Sequence, residues 1–395
     1  MSQPGRIVAP PAFLADPALR AVLAALPRAR LVGGCVRDAL LGRAVADIDL
    51  ATPDPPEAVM AALAAARLKA VPTGLAHGTV TAVADHRGFE VTTLRRDVAT
   101  DGRHATVAFT DDWQADAARR DFTINAMSMT ADGAVFDYFG GLDHLASGRV
   151  RFVGAAAARI AEDYLRVLRF FRFHARYGSG APDGEALAAI RDAVPGLARL
   201  SVERVWWELK RILAGPDPAG TMALMRACGV LGALLPEAGD EAPLAALVAA
   251  LVAAGAHSDP VLRLAALIDG DGAAVASRLK LSGAEAARLV ALRAARSPPD
   301  DADDDALRRA LADTPRDVLV GAAWLAGSGD ALRSRLAAMP VPVFPLAGRD
   351  LAAGGMPAGP AMGEMLRALR DWWLHGGCRG GAAACRAELA RRLRG

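Results

Sequence analysis

The spacing of apolar and polar residues changes character once along the chain. Up to about residue 153 it shifts between helix and strand periods; beyond that only helix spacing remains. Residues 17–27 read as a short helix, with Asp16 as its cap and Pro17 at its first position. RLVGGCVRDALLG (30–42) reads as a short apolar strand, a Gly-Gly turn and a helix ending near Gly42. VADIDLAT (45–52) alternates apolar and acidic side chains, as a strand does. PDPPEAVMAALAAARL (53–68) predicts a turn and a helix. GTVTAVAD (78–85) and GFEVTTLR (88–95), separated by the turn-like DHRG, predict a hairpin. These elements make an α/β unit over residues 28–153.

Residues 96–112 are polar and lack periodicity, and are read as a mobile loop. From residue 154 the chain predicts helices rich in Ala, Leu and Arg, punctuated by Gly and Pro. The stretch 159–176 has no Gly or Pro and reads as one helix. Ser201 is placed to cap the helix beginning VERVWWELK, and core packing is the reading for at least one of Trp206 and Trp207. The alanine-rich run 242–256 is too short to span a bilayer and reads as a buried helix. The acids at 300–305 read as a solvated helix start, and Trp372 and Trp373 as core of a helical tail. No repeat of fixed period is present.

Composition changes this picture little. A chain of 395 residues accommodates two or more domains. With 53% hydrophobic and 23% charged residues it is an ordinary globular sequence. A net charge of +2 neither requires nor excludes a nucleic-acid partner, so any basic footprint must be local. Cys35, Cys228, Cys378 and Cys385 form no CxxC pair, which predicts reduced thiols and a cytoplasmic location. MSQPGRIVAP lacks the layout of a signal peptide, and no membrane partner is expected.

The candidate chemistry lies in LVGGCVRDALLGRAVADIDLAT (31–52). Asp47 and Asp49, at i and i+2 on a strand, would share a face about 7 Å apart. Two carboxylates so placed repel unless a cation lies between them, and a hard ion such as Mg²⁺ takes oxygen ligands. A solvated strand face is the alternative. A Gly-Gly turn entering a helix exposes backbone N–H groups to a phosphate, and Arg37 adds a charged fork. GGCVRD is neither GxGxxG nor a P-loop. Phosphate plus paired acids points to metal-assisted nucleotidyl transfer. Glu90, on the second hairpin strand, is a possible third carboxylate or else an exposed strand residue.

These residues resemble the first motif of the class II tRNA nucleotidyltransferases and bacterial poly(A) polymerases, members of the DNA polymerase β superfamily. RRDFTINAMSM (119–129), FDYFGGLDHLASGRVRFVG (136–154), EDYLRVLRFFRFHARYG (162–178) and LSVERVWWELKRILAG (200–215) are similar to four further motifs in the family's order. The resemblance implies an α/β nucleotidyltransferase (polymerase β-like) head at 28–153. A helical neck would follow at 154–215, an RNA-binding body at 216–340 and a tail at 341–395. It implies Asp47 and Asp49 as catalytic ligands of two Mg²⁺ ions. Gly34, Arg37 and Arg120 would bind the nucleotide, as would Asp163, Arg166, Arg169 and Arg172. The implied reaction adds CCA to the tRNA 3′ end from CTP and ATP, releasing pyrophosphate. Sister activities remain open: poly(A) addition, or addition of CC or A alone. A non-catalytic RNA-binding relative is a further alternative, opposed by retention of both aspartates and of EDxxR. No His-Asp dyad supports a C-terminal phosphohydrolase domain.

Asp163 and Arg166 are read as neighbours on one helical face, where they would select the base. Carboxylate accepts and guanidinium only donates. Cytosine and adenine each offer an amino donor beside a ring-nitrogen acceptor, which this pair complements. Uracil and guanine offer the reverse, and a buried polar mismatch discriminates strongly. An intrahelical salt bridge is the structural alternative. The arginines continuing at 169, 172 and 176 exceed the needs of one salt bridge and suit phosphates.

Overall fold

The computed structural model describes residues 5–45, 47–100 and 105–394. The strands, in chain order, are β1 Arg6–Ile7, β2 Arg30–Val32, β3 Asp49–Thr52, β4 Lys69–Gly74, β5 Thr79–Ala84, β6 Arg87–Thr93, β7 Arg95–Thr100, β8 Ala105–Phe109, β9 Ser128–Met129 and β10 Ala134–Phe136. Among the described residues, eight of them form one sheet in the order β1-β10-β9-β2-β3-β6-β5-β4. Neighbours run antiparallel except β3 and β6, which are parallel.

Helices α1 Pro17–Ala25, α2 Gly34–Leu40, α3 Pro56–Ala65, α4 Trp113–Ala118 and α5 Gly141–Ala146 belong to this part of the chain. Asp16 caps α1 by accepting from the Ala18 N–H at 3.0 Å, and Leu19 and Val22 on its inner face are fully buried. α1 and α3 pack on β5, whose Val80, Ala82 and Ala84 alternate inward. The β5–β6 turn places Asp85 (φ 47°) and His86 (φ 58°) in the left-handed region. Two such residues give the turn whose twist matches a hairpin. β4 was not anticipated, because KAVPTG has no clean alternation and lies at the sheet edge.

The expected mobile loop at 96–112 is corrected. β7 and β8 pair as a separate antiparallel ribbon, from Arg95 opposite Phe109 to Thr100 opposite Ala105. Its strands do not join the main sheet. Residues 101–104 of that expectation lie outside the described residues.

After β10 the described chain is helical, with α6 Ala156–Glu162, α7 Leu165–Tyr177, α8 Gly184–Ala193 and α9 Val202–Leu213 leading a longer helical series. The protein is thus a mixed α/β sheet region followed by an all-helical part. Two compact units divide it. One runs through Asp217 and includes Thr221–Pro236; the other takes Pro218–Gly220 and the chain from Glu237. The second unit has clusters around Leu307, Leu319 and Leu336, and around Leu351, Leu369 and Trp373. Asp303 caps the helix Asp304–Asp313, as the acidic run predicted. The run at 242–256 forms the helix Ala242–Ala253 but is not buried all round. Leu244, Leu247 and Leu251 face inward, whereas Val252 is 69% exposed. Alanine's small area lets such a face meet water at little cost.

The predicted single helix at 159–176 is also corrected. It breaks at Asp163, whose backbone is extended (φ −156°, ψ 107°). The Asp163 carboxylate accepts from the Leu165 N–H at 3.1 Å and so starts α7 instead of continuing α6. Short polar side chains compete for backbone donors in this way. Ser201 occupies the position before α9, but its side chain makes no capping hydrogen bond.

An aromatic cluster ties α7 to the sheet region. Phe122 lies 5.0 Å from Phe152 and 5.1 Å from Phe173, centroid to centroid, and Phe152 stacks on Phe170 at 5.8 Å. All are at least nine-tenths buried. Aromatic pairs of this kind add roughly 0.5–1.5 kcal/mol each beyond their buried area. The inner face of α7 is therefore pinned, and its arginine stripe is presented on the other side.

Candidate active site

A cavity of about 470 Å³ in the first unit collects most of the residues singled out from the sequence. Gly33 and Gly34 form one wall. Gly33 (φ 71°) makes the left-handed turn into α2, and a Cβ there would meet Arg120 Nη1 at 3.0 Å. The positive φ favours glycine here, and a Cβ would also push the end of Arg120 aside. Gly34 opens the helix, whose Cys35 and Val36 are buried. The Cys35 thiol donates to the Val32 carbonyl, and burial pushes it up to about 11.

The acids are distributed differently from the sequence expectation. β3 begins at Asp49, so Asp47 precedes the strand. β2 reaches only Leu50 and Ala51, and β6 starts its pairing at Asp49, so no neighbouring backbone holds Asp47 in strand form. Asp49 lines the cavity and stands in register opposite Glu90 on the parallel neighbour. Burial raises the Asp49 carboxyl above its ordinary range, with the charges of Glu90 and Asp47 acting the same way and Arg120 against. Among the described residues, no hydrogen bond or ion pair engages the Asp47, Asp49 or Glu90 carboxylates. Mutually repelling carboxylates without a protein cation between them fit a divalent metal. No three His, Cys, Asp or Glu side chains among the described residues already stand in a ligand arrangement.

Six arginines line the same cavity: Arg37, Arg119, Arg120, Arg166, Arg169 and Arg204. Asp49, Asp121 and Asp163 share the lining with them, and Asp38, Asp116 and Glu162 pair with Arg37, Arg119 and Arg120, and Arg166, so the guanidinium forks are fixed by carboxylates and are not in net excess. Much of this charge is held by internal bonds. Arg37 is buried, forks onto Asp38 (3.0 and 2.9 Å), donates to Asn125 Oδ1 at 2.5 Å and lies 4.1 Å over Tyr177. Asn125 donates in turn to Asp121 at 3.0 Å, and Arg169 donates to the other Asp121 oxygen. Burial would raise the Asp121 carboxyl, but Arg169 and the Asn125 bond outweigh it and hold it below the usual range. Arg120 pairs with Asp116 at 3.2 Å.

Asp163 and Arg166 both line the cavity, though not as neighbours on one helix. Arg166 donates to Glu162 (2.5 Å) and to the carbonyls of Arg159 (2.8 Å) and Arg119 (3.3 Å). The second Asp163 oxygen accepts from Arg204 Nη2 at 2.6 Å. Arg172 is not brought to this cavity. Its Nε donates to the fully buried Glu208 at 2.6 Å, and it lines a separate cavity. Trp206 is core, while Trp207 is 47% exposed under the Arg211 guanidinium. Sequence reasoning missed Arg119, Asp121, Asn125 and Arg204. The first three lie within the stretch 119–129, where the i, i+4 spacing of Asp121 and Asn125 was an available signal; Arg204 carried none.

The family model described as Poly A polymerase head domain matches residues 29–151. A second, the probable RNA and SrmB-binding site of polymerase A, matches residues 181–241. The CCA tRNA nucleotidyltransferase 1, mitochondrial, of Danio rerio is 38% identical over 364 residues, 87% of this chain and 83% of that protein. The chain belongs to the CCA tRNA nucleotidyltransferase family. The CCA-adding enzyme of Geobacillus stearothermophilus is 41% identical over 211 residues, 53% of this chain and 50% of its own. The solved Bacillus stearothermophilus CCA-adding enzyme in complex with CTP superposes with a TM-score of 0.78 at 30% identity, covering 96% and 98% of the two chains. The Thermotoga maritima CCA-adding enzyme complexed with tRNA shares the fold at a TM-score of 0.66 and 20% identity. Membership in the nucleotidyltransferase family accounts for a cavity that gathers carboxylates and arginines side by side. No helix among the described residues is long and apolar enough to cross a membrane.

Proposed function

We propose that the protein adds C, C and A to the 3′ end of tRNA from CTP and ATP, without a nucleic-acid template. The observation that carries the reading is the meeting of Asp49, the arginine wall and Asp163 in one cavity. The 3′-hydroxyl oxygen forms a bond to the α-phosphorus as the bond to pyrophosphate breaks. Asp47 and Asp49, with Glu90 beside them, would hold Mg²⁺. When bound, the metal supplies activation of the hydroxyl and neutralisation of the departing phosphates. Gly34, Arg37 and Arg120 orient the triphosphate, and Arg169 adds a further cation from α7. Asp163 accepts the amino hydrogen of cytosine or adenine, with Arg166 as donor to the adjacent ring nitrogen. Arg172 stays outside this cavity, paired with Glu208, which lies 3.9 Å from Arg169.

The division of labour follows the same reading: catalysis in the head (28–153), base choice in the neck (154–215), RNA binding in the body (216–340) and tail (341–395). The cytoplasm is the proposed location, supported by four free thiols, three of them buried; the Danio rerio relative is named as mitochondrial. The second reading, addition of A alone or of a poly(A) tail, is favoured by the description of the head-domain family. One assay separates them. tRNAs ending before CCA, after C and after CC are incubated with labelled CTP or ATP, and the products are sized. C addition to the first two and a single A on the third is the expected result. Long A tails or absent C addition overturn it.

A further inference from the structure

A second cavity, of about 660 Å³, lies in the same unit and shares no lining residue with the first. Its wall gathers arginines distant in sequence: Arg43 after α2, Arg172 and Arg176 on α7, and Arg211 near the end of α9. Among the described residues, the acid paired with any of them is Glu208, which binds Arg172. Arg43 donates to the Arg176 carbonyl at 3.3 Å, and Arg211 lies 3.5 Å over the Trp207 ring. Arg43, Arg176 and Arg211 are exposed.

A structural role is available, since α7 and α9 both end here and arginines favour helix C-termini. That role is too small for the charge assembled. Four guanidiniums face one carboxylate and two helix ends of roughly −0.5 each, leaving about two positive charges over. The Arg211 guanidinium is pushed below its ordinary range by burial and by the positive charge of Arg172, with Glu208 acting the other way. Like charges held together against repulsion mark a place where an anion fits.

We propose that this cavity seats backbone phosphate of the RNA substrate, apart from the nucleotide pocket. The chemistry is phosphate recognition by guanidinium forks. The exposed forks favour a polymer over a free phosphate, because a small anion at exposed arginines competes with bulk salt one charge at a time. The inference rests on the RNA-substrate reading above. It adds a fixed point of contact that neither catalysis nor base choice requires.

The test is equilibrium binding of the full-length chain to a tRNA transcript lacking CCA, across a salt series and without nucleotide. Arg176→Gln/Arg211→Gln is expected to raise Kd on the order of tenfold. It should also reduce the log Kd–log salt slope by about 1–2, since each lost phosphate contact releases about one counterion fewer. The KM for CTP at saturating tRNA stays unchanged. Arg176→Lys/Arg211→Lys, which keeps the charge, restores the slope. Arg43→Gln, at an exposed turn outside both helices, shifts the slope in the same direction and guards against a folding defect in the double variant. Unchanged Kd and slope in all variants overturn the proposal. So does unchanged tRNA binding with weakened inhibition by inorganic pyrophosphate, which assigns the cavity to free phosphate. Because no nucleotide is present, a wild-type protein that binds tRNA but adds nothing would fail the functional reading and leave this one standing.

Discussion

Individual side chains carry opposite duties within a few ångströms. Asp49 is raised by burial and by Glu90 and Asp47 beside it, which a cation relieves. Asp49→Ala is expected to abolish addition of both C and A in the sizing assay; retained addition removes Asp49 from the metal site. Asp163 shares its carboxylate between the Leu165 N–H and Arg204. Asp163→Ala should loosen base choice, read as UTP and GTP incorporation relative to CTP and ATP. Arg204 is a positioning residue in this account. Arg204→Gln frees one Asp163 oxygen and is expected to lower the same discrimination on the order of tenfold, about 1.5 kcal/mol for one charge-assisted bond, with KM for tRNA unchanged. Equal discrimination in wild type and variant would reduce Arg204 to packing. Arg204 was invisible in sequence because nothing one-dimensional marks which arginine of α9 reaches across 41 residues to Asp163.

At the scale of elements, the turns decide what the helices offer. Gly33 combines φ 71° with close approach of Arg120. Gly33→Ala places a side chain in the left-handed region, at a cost of about 1 kcal/mol. It also displaces Arg120, so KM for CTP should rise more than kcat falls; an unchanged KM would contradict the placement of Arg120. The α6–α7 break has the same character. Residues 159–176 read as one helix because no Gly or Pro interrupts them, yet Asp163 turns extended, ends the first helix and accepts from the Leu165 N–H at the start of the second. Helix period was readable there; a competing side-chain hydrogen bond was not. β7 and β8 pair as a ribbon apart from the main sheet, and their polar stretch of sequence carries no alternation to reveal them.

Across the whole molecule, the buried ion pairs set a pH dependence. Burial opposes ionisation of Asp116 and Asp121, but Arg119 and Arg120 for the first and Arg169 for the second hold both below the ordinary carboxylate range. The folded state thus binds these protons less tightly than the unfolded chain. Their stabilisation is full above the unfolded carboxylate value of about 3.9 and is lost as pH falls through the depressed folded values. Denaturant midpoints should fall below about pH 4 in the wild type. They should fall less steeply in Asp121→Asn, which is less stable at neutral pH by about 3 kcal/mol for a broken buried pair. A parallel pH profile in the variant would contradict the assignment.

Local pattern alone determined the α1 cap, the α2 and α3 helices, the β5–β6 hairpin and the head's change to an all-helical chain. These depend on neighbours within a few positions, and periodicity records them. The motifs also determined where the acids and most of the arginines would lie along the chain. Tertiary structure alone decided that Asp49 stands in register with Glu90, that Arg204 holds Asp163, and that Arg172 leaves the nucleotide cavity for Glu208 and the second arginine cluster. Each of these is a choice among several chemically equivalent partners. The chain crossing that brings one of them within hydrogen-bond distance makes that choice, and no local pattern encodes it.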